Sequence, residues 1–222
     1  MFANSRQVQS NQQGVHQDLE KVVRRHLENP WRAPIAEHDQ QAFARLSEWR
    51  RQQGVERALM LDSGCGTGRS SVALARRFPE ALVVGADQSR DRLDRAGRRF
   101  SPLPDNLLLL RTDCAGLWRL MAQAQWRLQR HQILYPNPWP KGAHLKRRWH
   151  GHPVWPTVLA LGGTLEMRSN WPVYLYEVEA ALALSGVQAR VATLALQDAP
   201  ATDFEEKYQA SGQSLWQLSA TL

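Results

Sequence analysis

Apolar residues near the start of the chain follow a helical period. In residues 18–27 they recur at spacings of three and four, which predicts an amphipathic helix ending before Pro30. A second helix is predicted over residues 37–51, with its apolar side chains on one side. No strand-like run occurs in this part of the sequence. We therefore expect residues 1–55 to form a helical, basic N-terminal extension, either packed on the main domain or reaching away from it.

From residue 56 onward, short apolar runs alternate with helical patterns. Strands are predicted at 57–62, 81–87, 107–111, 132–135, 164–168, 187–196 and 214–219, and helices at 69–78, 90–100, 117–128, 154–161 and 171–184. Near-continuous apolar strands separated by amphipathic helices are typical of a parallel sheet that is buried on both faces. The sequence therefore predicts a doubly wound α/β domain over residues 56–222, with a mostly parallel seven-stranded sheet.

The composition argues against a membrane-spanning protein and against a disulfide-stabilised one. The 222 residues suit one domain with an appendage, and no apolar run approaches the ~20 residues that span a bilayer. Two cysteines are too few for a disulfide framework. The formal net charge of +7 favours a polyanionic partner, although it could also serve solubility alone. We expect a soluble, cytoplasmic protein without a membrane partner, either a monomer or a homodimer.

A glycine-rich turn follows the first predicted strand. It reads Asp62-Ser-Gly64-Cys-Gly66-Thr-Gly68 and leads directly into a helix. Glycines at such a turn allow a ligand to approach the backbone closely. The residue after Gly68 is Arg69, so the dinucleotide-binding spacing G-x-G-x-x-G is not met, and the G-K-[ST] of a P-loop is absent from the sequence.

Acidic residues end the first three predicted strands. Asp62 ends the first, Asp87 the second and Asp113 the third. Because the carboxyl ends of parallel strands meet at one edge of the sheet, these carboxylates should lie beside the glycine turn. Asp113 also fits a simpler role as a helix N-cap. Three acids in register with a glycine turn are nevertheless hard to obtain by chance, which favours a ligand site.

A dense basic segment follows the fourth predicted strand. It runs Tyr-Pro-Asn-Pro-Trp-Pro-Lys-Gly-Ala-His-Leu-Lys-Arg-Arg over residues 135–148. Prolines on either side of Asn137 fix a rigid turn there. A basic run is usually only a solvated surface, and the nearby histidines suggest a metal site. Their spacing lacks carboxylate or thiolate companions, so we expect no metal.

These segments resemble a known family. The acid followed by G-x-G-x-G is similar to motif I of class I S-adenosylmethionine-dependent methyltransferases, which have a Rossmann-like fold. The basic segment resembles the aromatic-P-D-P-W-x-K-x-x-H-x-K-R-R signature of the bacterial tRNA (guanine-N7)-methyltransferases. Two later segments also match, Ser169-Asn170-Trp-Pro-Val-Tyr174 against T-D-x-x-x-Y and Thr202-Asp-Phe204-Glu205-Glu-Lys207 against T-x-[FY]-E-x-[KR].

The resemblance implies an activity and a set of site residues. The reaction would transfer a methyl group from S-adenosylmethionine to N7 of a guanine in the variable loop of tRNA, leaving S-adenosylhomocysteine. The cofactor residues implied are Asp62, Gly64, Gly66, Gly68, Asp87 and Asp113. The residues implied to contact substrate or RNA are Trp139, Lys141, His144, Lys146, Arg147, Arg148, Tyr174, Thr202, Glu205 and Lys207. Asn137 and Asn170 occupy the catalytic positions that face the guanine.

Those two asparagines depart from the family pattern. The family carries aspartate at both positions. The substrate-binding part of the predicted site is therefore altered, while the cofactor-binding part matches the family. Asn137-Pro138 also resembles the [N/D]-P-P-[YF] motif of enzymes that methylate exocyclic amines or amides, although Trp139 replaces the second proline. A third interpretation is a non-catalytic tRNA-binding paralogue that keeps the cofactor site. Asn170 also fits a simpler role as the N-cap of the helix that follows it.

Overall fold

Seven strands form one sheet in the computed structural model, which describes residues 5–195 and 199–222. The strands are β1 (Leu59–Ser63), β2 (Leu82–Asp87), β3 (Leu107–Arg111), β4 (Arg130–Leu134), β5 (Thr164–Ser169), β6 (Ala189–Thr193) and β7 (Trp216–Thr221). The helices are α1 (Leu19–Glu28), α2 (Glu37–Gln53), α3 (Arg69–Arg77), α4 (Arg90–Arg99), α5 (Cys114–Gln123), α6 (Trp155–Leu161), α7 (Pro172–Ala183) and α8 (Asp203–Ala210). The predicted α/β architecture is confirmed.

The strand order in the sheet is β3-β2-β1-β4-β5-β7-β6. The first five strands in the order, from β3 to β5, pair in parallel with their neighbours, and β7 runs antiparallel to both of its neighbours, β5 and β6. From β1 the chain moves outward to β2 and β3, and then returns to place β4 on the other side of β1. The order of strands therefore reverses between β1 and β4. In open α/β sheets, ligands bind at the carboxyl ends of the strands beside such a reversal.

Apolar side chains cover both faces of the sheet. The five parallel strands are short and mostly buried, with β1 and β2 buried at every position, whereas the edge strand β6 has no buried residue. One core lies between the sheet and helices α1, α2, α5, α6 and α7, and a smaller one lies where α3 packs on β1–β3. This two-sided burial explains why β1, β2 and β3 have near-continuous apolar sequences.

The N-terminal extension packs on the domain. Leu19 and Val23 of α1 and Ala42 and Leu46 of α2 are buried in the larger core. Helix α1 contacts α6 and α7, and α2 contacts α5 and β3. Within the described residues, no helix is both long and apolar enough to cross a membrane.

Several predicted boundaries differ from the structure. Helix α5 begins at Cys114 instead of residue 117, because the Asp113 carboxylate caps it by accepting the N–H groups of Ala115 and Gly116. Strand β7 lies two residues later than predicted, at Trp216–Thr221. The strand predicted over 187–196 is shorter, ending at Thr193, and residue 196 lies outside the described residues.

Helix α8 was not predicted. Its N-cap is Thr202, whose hydroxyl accepts the backbone N–H of Glu205 at 3.0 Å. The Glu205 carboxylate reaches back to the N–H of Ala201 at 3.2 Å. Thr-x-x-Glu is the sequence signature of such a capping arrangement, so the sequence contained a local signal for this helix.

Candidate functional site

The first acid lies beneath the glycine turn. Asp62 is 1 % exposed, and its Oδ2 accepts hydrogen bonds from the hydroxyls of Ser70 and Ser71 on α3, both at 2.6 Å. Burial raises the pKa of Asp62 to about 6, although the two hydroxyls favour the ionised form. This carboxylate therefore changes its charge near neutral pH.

The three glycines of the turn all adopt left-handed backbone conformations. Their φ angles are +74°, +56° and +72° at Gly64, Gly66 and Gly68. A Cβ atom added at Gly64 or Gly66 would meet no other atom within 4 Å, whereas one at Gly68 would lie 2.9 Å from the Cβ of Ala96 on α4. The first two glycines therefore border open space, and the third allows α4 to pack closely.

The other two predicted acids lie at the same edge of the sheet. Asp87 accepts the backbone N–H of Gly66 at 2.9 Å and that of Ser89 at 2.8 Å, which ties the end of β2 to the glycine turn. Asp113 caps α5 through Oδ1 and accepts a hydrogen bond from the Gln88 side chain through Oδ2. The structure thus brings the acids and the glycine turn together at the carboxyl ends of β1–β3.

The basic segment forms a turn and a short 3₁₀ helix, Gly142–Arg147, and a second 3₁₀ helix, Trp149–Gly151, follows it. The turn is tight, with positive φ at Tyr135 (+53°) and Trp139 (+44°). The side chain of Asn137 is exposed at its tip.

Some basic side chains of this segment are open to solvent. Lys141, Lys146 and Arg147 are exposed. The Arg147 guanidinium lies 4.8 Å from the centroid of the Trp139 ring, and His144 meets the same ring edge to face at 5.6 Å. Three exposed cations therefore follow the end of β4, the strand that lies next to β1 in the sheet.

The position of Arg148 differs from the prediction that this residue contacts RNA. Its side chain has no exposed surface and forms an ion pair with Glu177 of α7. The guanidinium also donates to the Trp139 carbonyl at 3.0 Å and to the Gln12 side chain at 3.0 Å. His150 Nε2 lies 2.9 Å from the same glutamate. Arg148 is therefore held inside the protein and cannot contact an RNA phosphate in this structure.

Tyr174 also differs from its predicted role. It is 1 % exposed, and its hydroxyl accepts the backbone N–H of Trp149 at 3.2 Å. Burial raises the pKa of Tyr174 well above its usual range. This tyrosine of α7 holds the residue that follows the basic segment and does not face RNA in this structure.

Asn170 does not cap α7. The N-cap is Trp171, with Pro172 at the first helical position, and the Asn170 amide donates to the Oε1 of Gln213 at 2.8 Å. Gln213 in turn donates to the backbone carbonyl of Ser5 at 2.8 Å. The N-terminal extension is therefore linked to a predicted catalytic position through Gln213.

Glu205 of α8 contacts residues at the ends of β4 and β5. It is 3 % exposed and accepts hydrogen bonds from the Tyr135 hydroxyl and from Arg168, both at 2.9 Å. Thr202 serves as the cap of α8, and Lys207 is exposed on that helix. The carboxylate of Glu205 is thus already paired with a guanidinium.

Sequence reasoning missed four residues at this edge. Asp203 of α8 accepts hydrogen bonds from the Thr67 hydroxyl at 2.6 Å and from Arg99 at 2.9 Å, which fastens α8 to the glycine turn. Tyr135, Arg168 and Gln213 were also missed. Tyr135 opens the basic motif and could have been included, whereas the contacts of the other residues join distant parts of the chain.

The fold and the placement of the acids define a class I methyltransferase architecture. A solved structure described as an antibiotic-related methyltransferase superposes with a TM-score of 0.59 at 16% identity, covering 86% of this chain and 97% of that one. At this identity the likeness concerns the fold alone. The sequence profile of the family described as "Putative methyltransferase" matches residues 56–218.

Sequence relatives identify the family within the methyltransferases more closely. A tRNA (guanine-N(7)-)-methyltransferase of Anaeromyxobacter dehalogenans is 32% identical over 188 residues, covering 78% of this chain and 90% of that protein. The enzyme of the same name from Treponema pallidum is 30% identical over 164 residues, covering 72% of this chain. The chain spans 65% of the length of that relative. This chain belongs to the tRNA (guanine-N(7)-)-methyltransferase family.

Proposed function

We propose that this protein transfers a methyl group from S-adenosylmethionine to N7 of a guanine in tRNA. The observation that carries the proposal is the position of two surfaces at one edge of the sheet. The glycine turn with its three acids lies at the ends of β1–β3, and the exposed cations of the basic segment follow the end of β4. Cofactor and polyanion would then meet at the reversal between β1 and β4.

The residues at the glycine turn suit S-adenosylmethionine. The open space over Gly64 and Gly66 admits a ligand against the backbone. The carboxylate of Asp87 has lone pairs beyond its two backbone partners with which to accept ribose hydroxyls. Asp62 would lie near the amino-acid end of the ligand and Asp113 near its adenine. When bound, this cofactor supplies an electrophilic methyl group carried on a sulfonium.

The exposed part of the basic segment suits an RNA backbone. Lys141, Lys146 and Arg147 present three positive charges on one short stretch of chain. Cations at such spacing neutralise phosphates and orient the nucleic acid without reading its sequence. The names of the relatives support tRNA as the RNA in question. We further propose the variable-loop guanine as the target and the cytoplasm as the location.

The proposed reaction depends mainly on the relative position of the cofactor and the guanine. N7 of guanine carries a free lone pair, so no general base is needed. The protein has to hold guanine N7 in line with the methyl group and the sulfonium of S-adenosylmethionine. Asn137, which is exposed after the end of β4, would contact the acceptor. The Tyr135–Glu205–Arg168 contacts hold the end of β4 against β5 and α8. These contacts would keep the acceptor side of the site rigid.

A second candidate has one observation in its favour. The two family acid positions carry amides here, and the carboxylate of Glu205 is paired with Arg168. An exposed asparagine followed by proline at the end of β4 can accept hydrogen bonds from an NH₂ group. Methylation of an exocyclic amine is therefore the alternative to N7.

Two measurements test the proposal together. Calorimetric titration with S-adenosylhomocysteine reports the cofactor site, and transfer of a labelled methyl group to bulk tRNA reports the reaction. We expect both to be positive. Binding of the cofactor product without methyl transfer would favour the non-catalytic paralogue. Failure to bind S-adenosylhomocysteine would contradict the methyltransferase proposal itself.

A further inference from the structure

Asp39 is a buried carboxylate in the N-terminal extension, outside the segment that the family profile matches. It lies in the first turn of α2 and is 3 % exposed. An acid in the first turn could cap the N-terminus of its own helix. Helix α2, however, has Ala36 as its N-cap and no side-chain cap hydrogen bond. The carboxylate of Asp39 is directed instead at the end of β3.

Two hydrogen bonds to Asp39 come from the turn that follows β3, and His38 of its own helix is a third close contact, with its Nε2 3.1 Å from Oδ1. The Oδ1 of Asp39 accepts the Thr112 hydroxyl at 2.7 Å and the backbone N–H of Asp113 at 2.8 Å. A Cβ atom added at Gly116 would lie 2.4 Å from the other oxygen, so a larger residue there would force the Asp39 carboxylate to move. The turn between β3 and α5 is therefore shaped around this one carboxylate.

Asp113 is thus fixed from two sides. Its own carboxylate is held by the first turn of α5 and by Gln88, and its backbone N–H is held by Asp39. Beside it, a cleft of about 490 Å³ opens between this turn and the connection from α1 to α2. The cleft is lined on the domain side by Gln88, Thr112 and Asp113, and on the extension side by Trp31, His38 and Asp39.

We propose that Asp39 is a positioning residue of the cofactor site, holding Asp113 in place for the adenine ring, so that the N-terminal extension completes a site built mainly by the methyltransferase domain. This inference rests on the proposed function, because it assumes that Asp113 faces the adenine of S-adenosylmethionine. Asp39 acts through Asp113 and the turn, and it need not touch the ligand.

The test compares two substitutions of Asp39 with a control on the same helix turn. Asp39→Ala removes the acceptor, and Asp39→Asn keeps one acceptor oxygen. Glu37→Ala removes an exposed charge of the same sign whose partner is Gln41 on its own helix. Affinity for S-adenosylhomocysteine is measured by calorimetry, and the folded fraction by circular dichroism.

We expect Asp39→Ala to weaken S-adenosylhomocysteine binding by roughly tenfold or more, the order expected for one charge-assisted hydrogen bond. Asp39→Asn should recover part of that affinity, and Glu37→Ala should match the parent. A purely structural role would lower the folded fraction without changing ligand selectivity. Selectivity is therefore measured with S-inosylhomocysteine, which carries an oxo group where adenine has its amino group.

The parent should prefer S-adenosylhomocysteine over the inosyl analogue, and Asp39→Ala should narrow that ratio. If Asp39→Ala does not fold, the same comparison is made with Asp39→Asn. Unchanged affinity and selectivity in the folded variants would overturn the role of Asp39 and leave the proposed function intact. A parent that binds neither compound would instead overturn the proposed function.

Discussion

Arg148 and Glu177 form an ion pair in which neither side chain has any exposed surface. The pair joins the basic segment after β4 to helix α7, and Gln12 and His16 of the N-terminal extension bond to the same glutamate. The hydrogen bonds to Glu177 lower its pKa to about 2 despite burial, so the carboxylate stays ionised. Adjacent arginines of one basic run thus have opposite roles, Arg148 inside and Arg147 outside.

Removal of the buried Arg148 side chain should mainly lower the stability of the fold. We expect Arg148→Ala to lower the free energy of unfolding by about 3–5 kcal/mol, because Glu177 would be left buried without its partner. Arg147→Ala, which removes an exposed neighbour, should change it by less than about 0.5 kcal/mol. Chemical denaturation of both variants checks this. Equal stabilities would mean that the pair is not buried in solution.

The exposed cations should control the salt dependence of tRNA binding. Lys146→Ala with Arg147→Ala should weaken binding and reduce the log–log salt slope by roughly 1.5, at ~0.7–0.9 for each lost phosphate contact. The matched control removes Arg76 and Arg77, two exposed arginines at the end of α3 that lies away from the glycine turn. If both double variants bind tRNA with equal slopes, the basic segment is not the RNA-contacting surface.

The buried acid of the first strand should make stability depend on pH. The folded pKa of Asp62 is about 6 against 3.8 for an ordinary aspartate, so the folded protein binds this proton more tightly. Its contribution to stability is fully present below pH 3.8 and is lost as the pH rises through about 6.

Comparison with Asp62→Asn isolates that contribution, because asparagine does not titrate. The stability of the parent relative to the variant should fall by up to about 3 kcal/mol between about pH 3.5 and pH 7. Denaturant titrations of both proteins across this range measure the difference. A constant difference would show that the pKa of Asp62 is not raised.

The glycine turn can be tested with a single methyl group. At Gly66 the φ angle is +56° and a Cβ would meet no protein atom within 4 Å, so Gly66→Ala should cost only about 1–2 kcal/mol of backbone strain. A bound cofactor would fill that space, so affinity for S-adenosylhomocysteine should fall by at least about tenfold. Gly97→Ala, on α4, also has open space and should bind like the parent. Parent-like affinity in Gly66→Ala would place the ligand elsewhere.

The sheet and the cofactor side could be predicted because their signals are local. Strands β1, β2 and β3 are short, mostly apolar runs, and each predicted acid stands at or within two residues of the end of its strand. The glycine turn likewise joins β1 to α3 without an intervening segment. Local sequence then determines which side chains share an edge of the sheet.

The substrate side could not be predicted as well, because its contacts join distant residues. Nothing in Lys-Arg-Arg indicates that its last arginine is buried, since this depends on Glu177, 29 positions later, and on Gln12, 136 positions earlier. The same holds for Tyr174 and for Asn170, whose partner Gln213 follows 43 positions later. The structure was needed to separate the side chains that can face RNA from those that hold the loop.

The asparagine at the tip of the turn allows the central claim to be tested with a gain of activity. Methylation puts a positive charge on the guanine ring, and a carboxylate would stabilise that charge more than an amide does. Asn137 is exposed, so Asn137→Asp should raise the rate by roughly five- to thirtyfold, from about 1–2 kcal/mol. Asn170→Asp should gain less, because a carboxylate there would face the Oε1 of Gln213.

The most direct measurement locates the transferred methyl group. After reaction of tRNA with labelled S-adenosylmethionine, borohydride reduction and aniline treatment cleave the RNA at N7-methylguanosine. We expect cleavage at one guanine, slow to develop with the parent and faster with Asn137→Asp. Label in the RNA without cleavage would contradict guanine N7 as the acceptor, and a slower Asn137→Asp variant beside it would favour an exocyclic amine.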